Sequence, residues 1–198
     1  MSEALAVAVA YLLGSIPFAF LAGRAKGVDL RTVGSGNLGA ANVFRALGRG
    51  WGIGVMAADI GKGLVAVLLA RAIADDPWPA VAAGAAMAGH VYPVWLRFKG
   101  GKGVAVGGGA IVGLMPLAAA ILIGLWLVIL LTTRYSSLAS VTCAVVAAPL
   151  AALMDYPWSS VIFAGLGSAA VLVLHRGNIM RLVRGQELRI RLSRPRRA

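Results

Sequence analysis

The chain has 198 residues, of which 60% are hydrophobic and 13% charged, and its mean hydropathy is +0.84. That balance excludes an ordinary water-soluble domain and makes the bilayer the solvent of the fold. A formal net charge of +12 would suit nucleic acid if it formed one face of a soluble domain, but here the basic residues lie between apolar runs and in a tail, where they orient a membrane protein and meet anionic lipid or phosphate.

The first apolar segment, Ala4 to Gly23, follows Glu3 and no basic leader, so it reads as a membrane span and not as a cleaved signal peptide. Further apolar segments run from Gly52 to Ala74, Ala80 to Leu96, Val104 to Leu131, Leu138 to Met154 and Ser159 to Leu174. Several fall short of the ~20 residues that carry a helix across ~30 Å of hydrocarbon, which implies thinning or half-buried ends. In the fourth segment, Gly113 and Pro116 predict a turn or kink.

Charge in the loops sets the sidedness. Arg24, Lys26, Arg31, Arg45 and Arg49 fill the first loop, Arg97, Lys99 and Lys102 the third, and Arg134 the link before Leu138, while eight arginines follow from Arg176 onward. The positive-inside rule places these stretches in the cytoplasm, and Asp75-Asp76-Pro77 and Asp155-Tyr156-Pro157, without Lys or Arg, outside. For the basic loops to share one side, the chain must cross twice between Val104 and Leu131. The expected fold is therefore all-α: one integral membrane domain over residues 1–198 with seven crossings, N-terminus out, C-terminus in, and a basic cytoplasmic tail from about 187 to 198 on anionic headgroups. Trp78, Trp95 and Trp158 fit interfacial anchors, Arg71 a snorkelling residue and Cys143 a small core residue.

Parity brings three polar, glycine-rich motifs to the cytoplasmic face. In the first, Gly34-Ser35-Gly36-Asn37-Leu38-Gly39, Ser35 and Asn37 offer short hydrogen-bonding side chains, glycines including Gly39 open the backbone, and Arg45 can clamp a phosphate. The bland alternative is a turn with a helix cap and a topology-setting arginine. The second, Lys99-Gly100-Gly101-Lys102-Gly103, opens an apolar helix, so helix-end N–H groups add to lysine charge; it lacks the spacing and Ser/Thr of a Walker loop. Its alternative is a flexible positive-inside loop. In the third, His175 and Asn178 share one helical face or turn. A lone histidine there is also a common capping residue.

Other polar groups are less decisive. Asp59 and Lys62, three apart within a span, suit either a structural ion pair or support for the site. Ser137 and Ser140 either cap a helix or reach the site. Two histidines, one cysteine and scattered carboxylates make no metal site, and no Ser-His-Asp pattern supports an acyl-enzyme.

Together these motifs give the chain a resemblance to the bacterial acyl-phosphate:glycerol-3-phosphate acyltransferase family. The resemblance rests on residues 34–45, the D-x-x-KG at 59–63, the GH-x-x-P to FKGGKG at 89–103, the Ser-rich segment at 134–140 and HR-x-NI-x-RL-x-x-G-x-E at 175–187. It implies a seven-helix enzyme of the bacterial inner membrane that moves an acyl group from acyl phosphate to the 1-hydroxyl of glycerol 3-phosphate, giving lysophosphatidic acid and phosphate without cofactor, acyl-CoA or carrier protein. It implies membrane lipids as surroundings, no nucleic acid partner, and an upstream acyl-phosphate synthase as a candidate partner. By analogy, Ser35, Arg45, Lys102, His175 and Asn178 form the catalytic set and bind the reacting phosphates. Asn37, Gly39, Gly100, Gly101, Gly103 and Ser140 bind substrate, and Glu187 is mainly structural. Leu38, Ala41 and Val106 stand where the family pattern favours proline, threonine and threonine, which affects loop rigidity and a hydrogen bond but leaves Ser35, Asn37 and Arg45 in place.

An acyl phosphate already has a good leaving group, so positioning and charge stabilisation suffice. The expected mechanism is direct transfer with a substrate phosphate oxygen taking the proton, and His175 as the competing base. The rival from another class is a transporter of phosphorylated solutes, which would place binding groups near the midplane between related halves.

Overall fold

The structure, a computed structural model, describes residues 2–190. It is all helical: α1 (Ser2–Ser15), α2 (Phe18–Ala25), α3 (Ala40–Leu47), α4 (Arg49–Arg71), α5 (Trp78–Val91), α6 (Val104–Leu114), α7 (Pro116–Thr133), α8 (Ser136–Leu153), α9 (Trp158–Leu174) and α10 (Arg176–Val183), with a 3-10 turn at Val94–Leu96.

Proline decides where several of these helices end. Pro17 splits the first apolar segment, expected to be uninterrupted, into α1 and α2, because it has no N–H to donate and its ring crowds the preceding turn. Pro93 likewise stops α5 at Val91, so the segment expected to reach Leu96 ends in the 3-10 turn. The break between α6 and α7 falls at Met115, where φ −142° and ψ 68° leave the helical region, and Pro116 occupies the first turn of α7, where a missing N–H costs nothing. This is the break that Gly113 and Pro116 predict.

Four stretches are long and apolar enough to cross a bilayer: Glu3–Ala25, Arg49–Arg71, Pro116–Thr133 and Ser136–Leu153. The pair α9 and α10, bent by 59°, adds a fifth only when counted as one span. Length and composition thus support four or five of the seven expected crossings, since α5 and α6 have only 14 and 11 residues.

Small residues let these helices pack closely, as membrane helices do when no hydrophobic force separates protein from lipid. Helix α1 lies on α5, α4 on α6, and α8 on both α7 and α9. At the α4–α6 crossing the contact is reciprocal: a Cβ on Gly63 would overlap the Val106 carbonyl, and one on Gly109 would overlap the Ile60 carbonyl. One core unites Val67, Leu114, Met115, Leu122, Ala151 and Phe163, and Cys143 packs against it with Sγ 3.4 Å from Leu122 O. Trp78 and Trp158 begin α5 and α9, both exposed. Arg71, expected to snorkel free, is exposed but donates to Leu114 O at 3.2 Å, tying the end of α4 to the end of α6.

The C-terminal segment corrects the reading of a tail that begins at 187. Glu187 is buried, and Ile190 donates its N–H to Arg134 O at 2.8 Å. Arg189 sits 5.0 Å over the Tyr135 ring and donates to its hydroxyl at 3.0 Å. Residues 187–190 are therefore docked on the α7–α8 turn; the rest of the basic tail, 191–198, lies outside the described residues.

Candidate active site

The first motif is a loop shaped around Asn42. Gly34 and Gly36 take φ of +60° and +70°, a region that favours glycine, and a Cβ on Gly34 would overlap Asn42 Oδ1. The buried Asn42 side chain accepts the Ser35 N–H at 2.9 Å and donates to Leu30 O at 2.9 Å and Val33 O at 3.1 Å. The Ser35 loop is thereby pinned to the helix that follows it. That helix, α3, falls in what the sequence presents as loop. It seats Phe44 against Gly52 of α4 and turns Arg45 back towards Ser35, with its guanidinium 3.4 Å from Ser35 Oγ. Asn37 folds over Gly39, where a Cβ would stand 2.7 Å from the amide nitrogen.

In the second motif the glycines have a different use from the one expected. Gly100 donates its N–H to Val91 O at 3.0 Å and Gly101 to His90 O at 3.1 Å, so these two donors bind the end of α5. A Cβ on Gly101 would overlap His90 Nε2 and lie 2.8 Å from Leu38 O, which brings the first and second motifs into contact. Gly103, at φ +77°, caps α6, and the first-turn N–H groups of that helix have no acceptor within it. Lys102 therefore stands at a helix N-terminus, as the pattern suggests.

The third motif completes the cluster. Asn178 accepts a hydrogen bond from Lys102 Nζ through Oδ1 and donates to Glu187 Oε1 at 2.7 Å through Nδ2. Ser137 also donates to Glu187 Oε1, at 3.0 Å, and Arg181 Nε donates to Oε2 at 2.8 Å. Ser137, then, reaches the cluster; Ser140, one turn deeper, donates to Ser136 O at 2.8 Å and accepts from Trp126 Nε1 at 3.2 Å. Arg134 contributes its carbonyl to Ile190 while its side chain is exposed. Glu187, Arg181 and Asn42 are the site-building residues that sequence reasoning gave no role in the chemistry, while Ser137 takes up the second of its two expected roles. The signals for the first three were the Gly185 turn after Arg181 and the spacing of Asn42 from Ser35.

The electrostatics of the cluster are strongly cationic. Arg45, Lys102 and Arg181 act on one another and on Glu187, so three cations face one carboxylate. Burial pulls Arg45 below its ordinary value, against the pull of Glu187, and Arg181 adds to the depression. Its Nε is buried and has no hydrogen-bond partner among the described residues. Burial, then the charges of Arg181 and Arg45, bring Lys102 down to about 8, with Glu187 opposing. Burial and the Lys102 charge push His175 down to about 4, against its bond to Val171 O and the charge of Glu187. His175 is thus neutral near pH 7. Its Nδ1 lies 2.9 Å from Val171 O and donates to it, which leaves Nε2 with a free lone pair.

Among the described residues, no group of three His, Cys, Asp or Glu side chains could hold a metal ion.

Comparison with known proteins decides the lineage: the family model for glycerol-3-phosphate acyltransferase matches residues 4–185. The chain belongs to the glycerol-3-phosphate acyltransferase family. A glycerol-3-phosphate acyltransferase of Rubrobacter xylanophilus is 47% identical over 188 residues, covering 94% of each chain. One from Geobacter sulfurreducens is 44% identical, covering 96% of this chain and 99% of its own. The crystal structure of PlsY (YgiH), an integral membrane glycerol 3-phosphate acyltransferase in its glycerol 3-phosphate form, is 41% identical, covers 96% of both chains and superposes with a TM-score of 0.92. Its lysophosphatidic acid form gives 0.89 at 40% identity, covering 96% of this chain and 95% of that one. Membership of the glycerol-3-phosphate acyltransferase family also makes the chain an integral membrane protein.

Proposed function

We propose that the protein transfers a fatty acyl group from acyl phosphate to the 1-hydroxyl of glycerol 3-phosphate, releasing lysophosphatidic acid and phosphate. The observation that carries this reading is the excess of cations over carboxylate around Arg45, Lys102 and Arg181, with the buried Arg45 Nε unpaired. Two uncompensated positive charges match a phosphate dianion, and an orphan buried donor is costly until a ligand accepts from it. Supporting it, the related PlsY structures carry glycerol 3-phosphate in one form and lysophosphatidic acid in the other.

In this mechanism Arg45 and Ser35 hold a substrate phosphate, and Lys102 and the N–H groups opening α6 stabilise charge on the leaving phosphate. The glycerol oxygen attacks the acyl carbonyl carbon, the carbon–oxygen bond to phosphate breaks, and phosphate leaves with the electron pair. The hydroxyl proton passes to a substrate phosphate oxygen. A histidine held near 4 is too weak a base to compete for it, so His175 Nε2 serves as an acceptor that orients the hydroxyl. The donor, this proton route and the roles of Asn37, Gly39, Gly103 and Ser140 are parts of the same proposal.

We also place the site at the cytoplasmic face of the bacterial inner membrane, with seven crossings, N-terminus out and C-terminus in. The basic loops around Arg24, Arg49 and Lys99 support this orientation.

The test is phosphate release by the purified protein in lipid, supplied with palmitoyl phosphate with and without glycerol 3-phosphate, together with detection of lysophosphatidic acid. Acceptor-dependent release matched by product and abolished by Arg45→Ala is expected. Uptake of glycerol 3-phosphate into sealed vesicles without conversion would replace the enzyme by a carrier.

A further inference from the structure

We propose that His90, held by Lys62 and Asp59, is a positioning residue for the Lys99–Gly103 loop, setting where Lys102 meets the substrate phosphate. The step from loop position to turnover rests on the acyltransferase reading above.

The Lys62 ammonium makes two hydrogen bonds and one ion pair, and the paired oxygen, Asp59 Oδ1, is buried without a hydrogen-bond partner among the described residues. Nζ lies 2.8 Å from Ile16 O at the α1–α2 break, 3.0 Å from His90 Nδ1 and 2.9 Å from Asp59 Oδ1. All three side chains are nearly inaccessible, at 3%, 2% and 9% for Lys62, Asp59 and His90. Nδ1 of the His90 ring faces both Lys62 Nζ, at 3.0 Å, and Asp59 Oδ1, at 3.6 Å, so the ring is held from behind. The other edge of that ring is the surface on which Gly101 rests, close enough that no side chain fits between. The His90 and Val91 carbonyls then take the N–H groups of Gly101 and Gly100, one and two residues before Lys102. An unbroken set of contacts therefore runs from an intramembrane ion pair to the lysine that touches Asn178.

Stability is a poor reason for such a cluster, since a buried ion pair often contributes no more than apolar residues of the same size, and charge within a membrane is costly. A fixed wall for the loop is what apolar replacements would not supply.

The experiment compares the wild type with Asp59→Leu/Lys62→Met and His90→Leu in lipid, reading amide hydrogen exchange across residues 99–103 and steady-state kinetics. In the folded variants the Gly100 and Gly101 amides are expected to exchange at least tenfold faster. The turnover number should fall tenfold or more, while KM for glycerol 3-phosphate stays within threefold. In a Lys102→Met background the same substitutions should cost no more than twofold. Wild-type exchange rates at Gly100 and Gly101 in a folded variant, or equal losses with and without Lys102, would overturn the proposal. A wild type that shows no acyl transfer would sink the acyltransferase reading alone, because the exchange measurement stands without turnover. Should the variants not fold, Gly101→Ala disturbs the same contact from the loop side, leaves the charges paired and is held to the same outcomes.

Discussion

Asn178 holds Lys102 with its amide oxygen and Glu187 with its amide nitrogen, 2.7 Å from Oε1. The amide meets both needs at once, because lysine requires an acceptor and the carboxylate requires a donor. Asn178→Asp keeps the size and loses the donor, setting two carboxylates against each other. We expect kcat/KM to fall roughly 100-fold or more, the cost of a lost bond to a charged group together with buried like charges. Phosphate release measures it, with Asn178→Ala as a milder comparison.

Lys102 sits near 8, and the proposed mechanism then predicts an alkaline limb. If the protonated lysine is the active form, kcat/KM falls as pH rises through about 8 and loses roughly tenfold per unit beyond. Lys102→Arg should remove that limb, since a guanidinium stays charged throughout. Stability moves the other way. The folded value lies below the unfolded 10.5, so the unfolded chain binds more protons between about 8 and 10.5, and resistance to denaturant should rise with pH across that window.

Arg45 offers a fork of N–H donors, one of which, Nε, is buried without a partner among the described residues. Arg45→Lys keeps the charge and loses the fork. We expect KM for glycerol 3-phosphate to rise roughly 10- to 100-fold. An unchanged KM would remove Arg45 from the phosphate.

Asn42→Ala tests the loop without touching a charge. It strips partners from the Ser35 N–H, Leu30 O and Val33 O together. A loss of roughly 2–4 kcal/mol in stability is expected, with faster amide exchange at Ser35 and a raised KM for glycerol 3-phosphate.

Hydropathy and loop charge made the helical membrane fold legible, and Pro116 announced the break at Met115. Pro17 was equally visible, but one proline near the end of an apolar run looks the same whether it kinks a helix or divides it. Helix α3 was hidden because its eight residues form an element too short for a periodic pattern to stand out. Within the candidate site, charge and glycine spacing drew attention to Ser35, Arg45 and Lys102, whereas a role for His175 and Asn178 rested on the family resemblance. The same spacing misled at Gly100 and Gly101, because a glycine that admits a phosphate and one that admits the edge of His90 leave identical letters in the sequence. Glu187 was illegible as a site residue since its partners, Ser137 and Asn178, come from different helices, and only the fold makes them neighbours.

The docking of Glu187 after α10 has a consequence for biogenesis. Every described helix precedes it in the chain, yet the carboxylate that balances Arg181 and orients Asn178 arrives only with this segment. A ribosome can thread all the apolar helices into the bilayer and still leave a nest of repelling cations at its surface. A chain that stops short of Glu187 would keep the described helices and lack the carboxylate that Asn178 and Arg181 share.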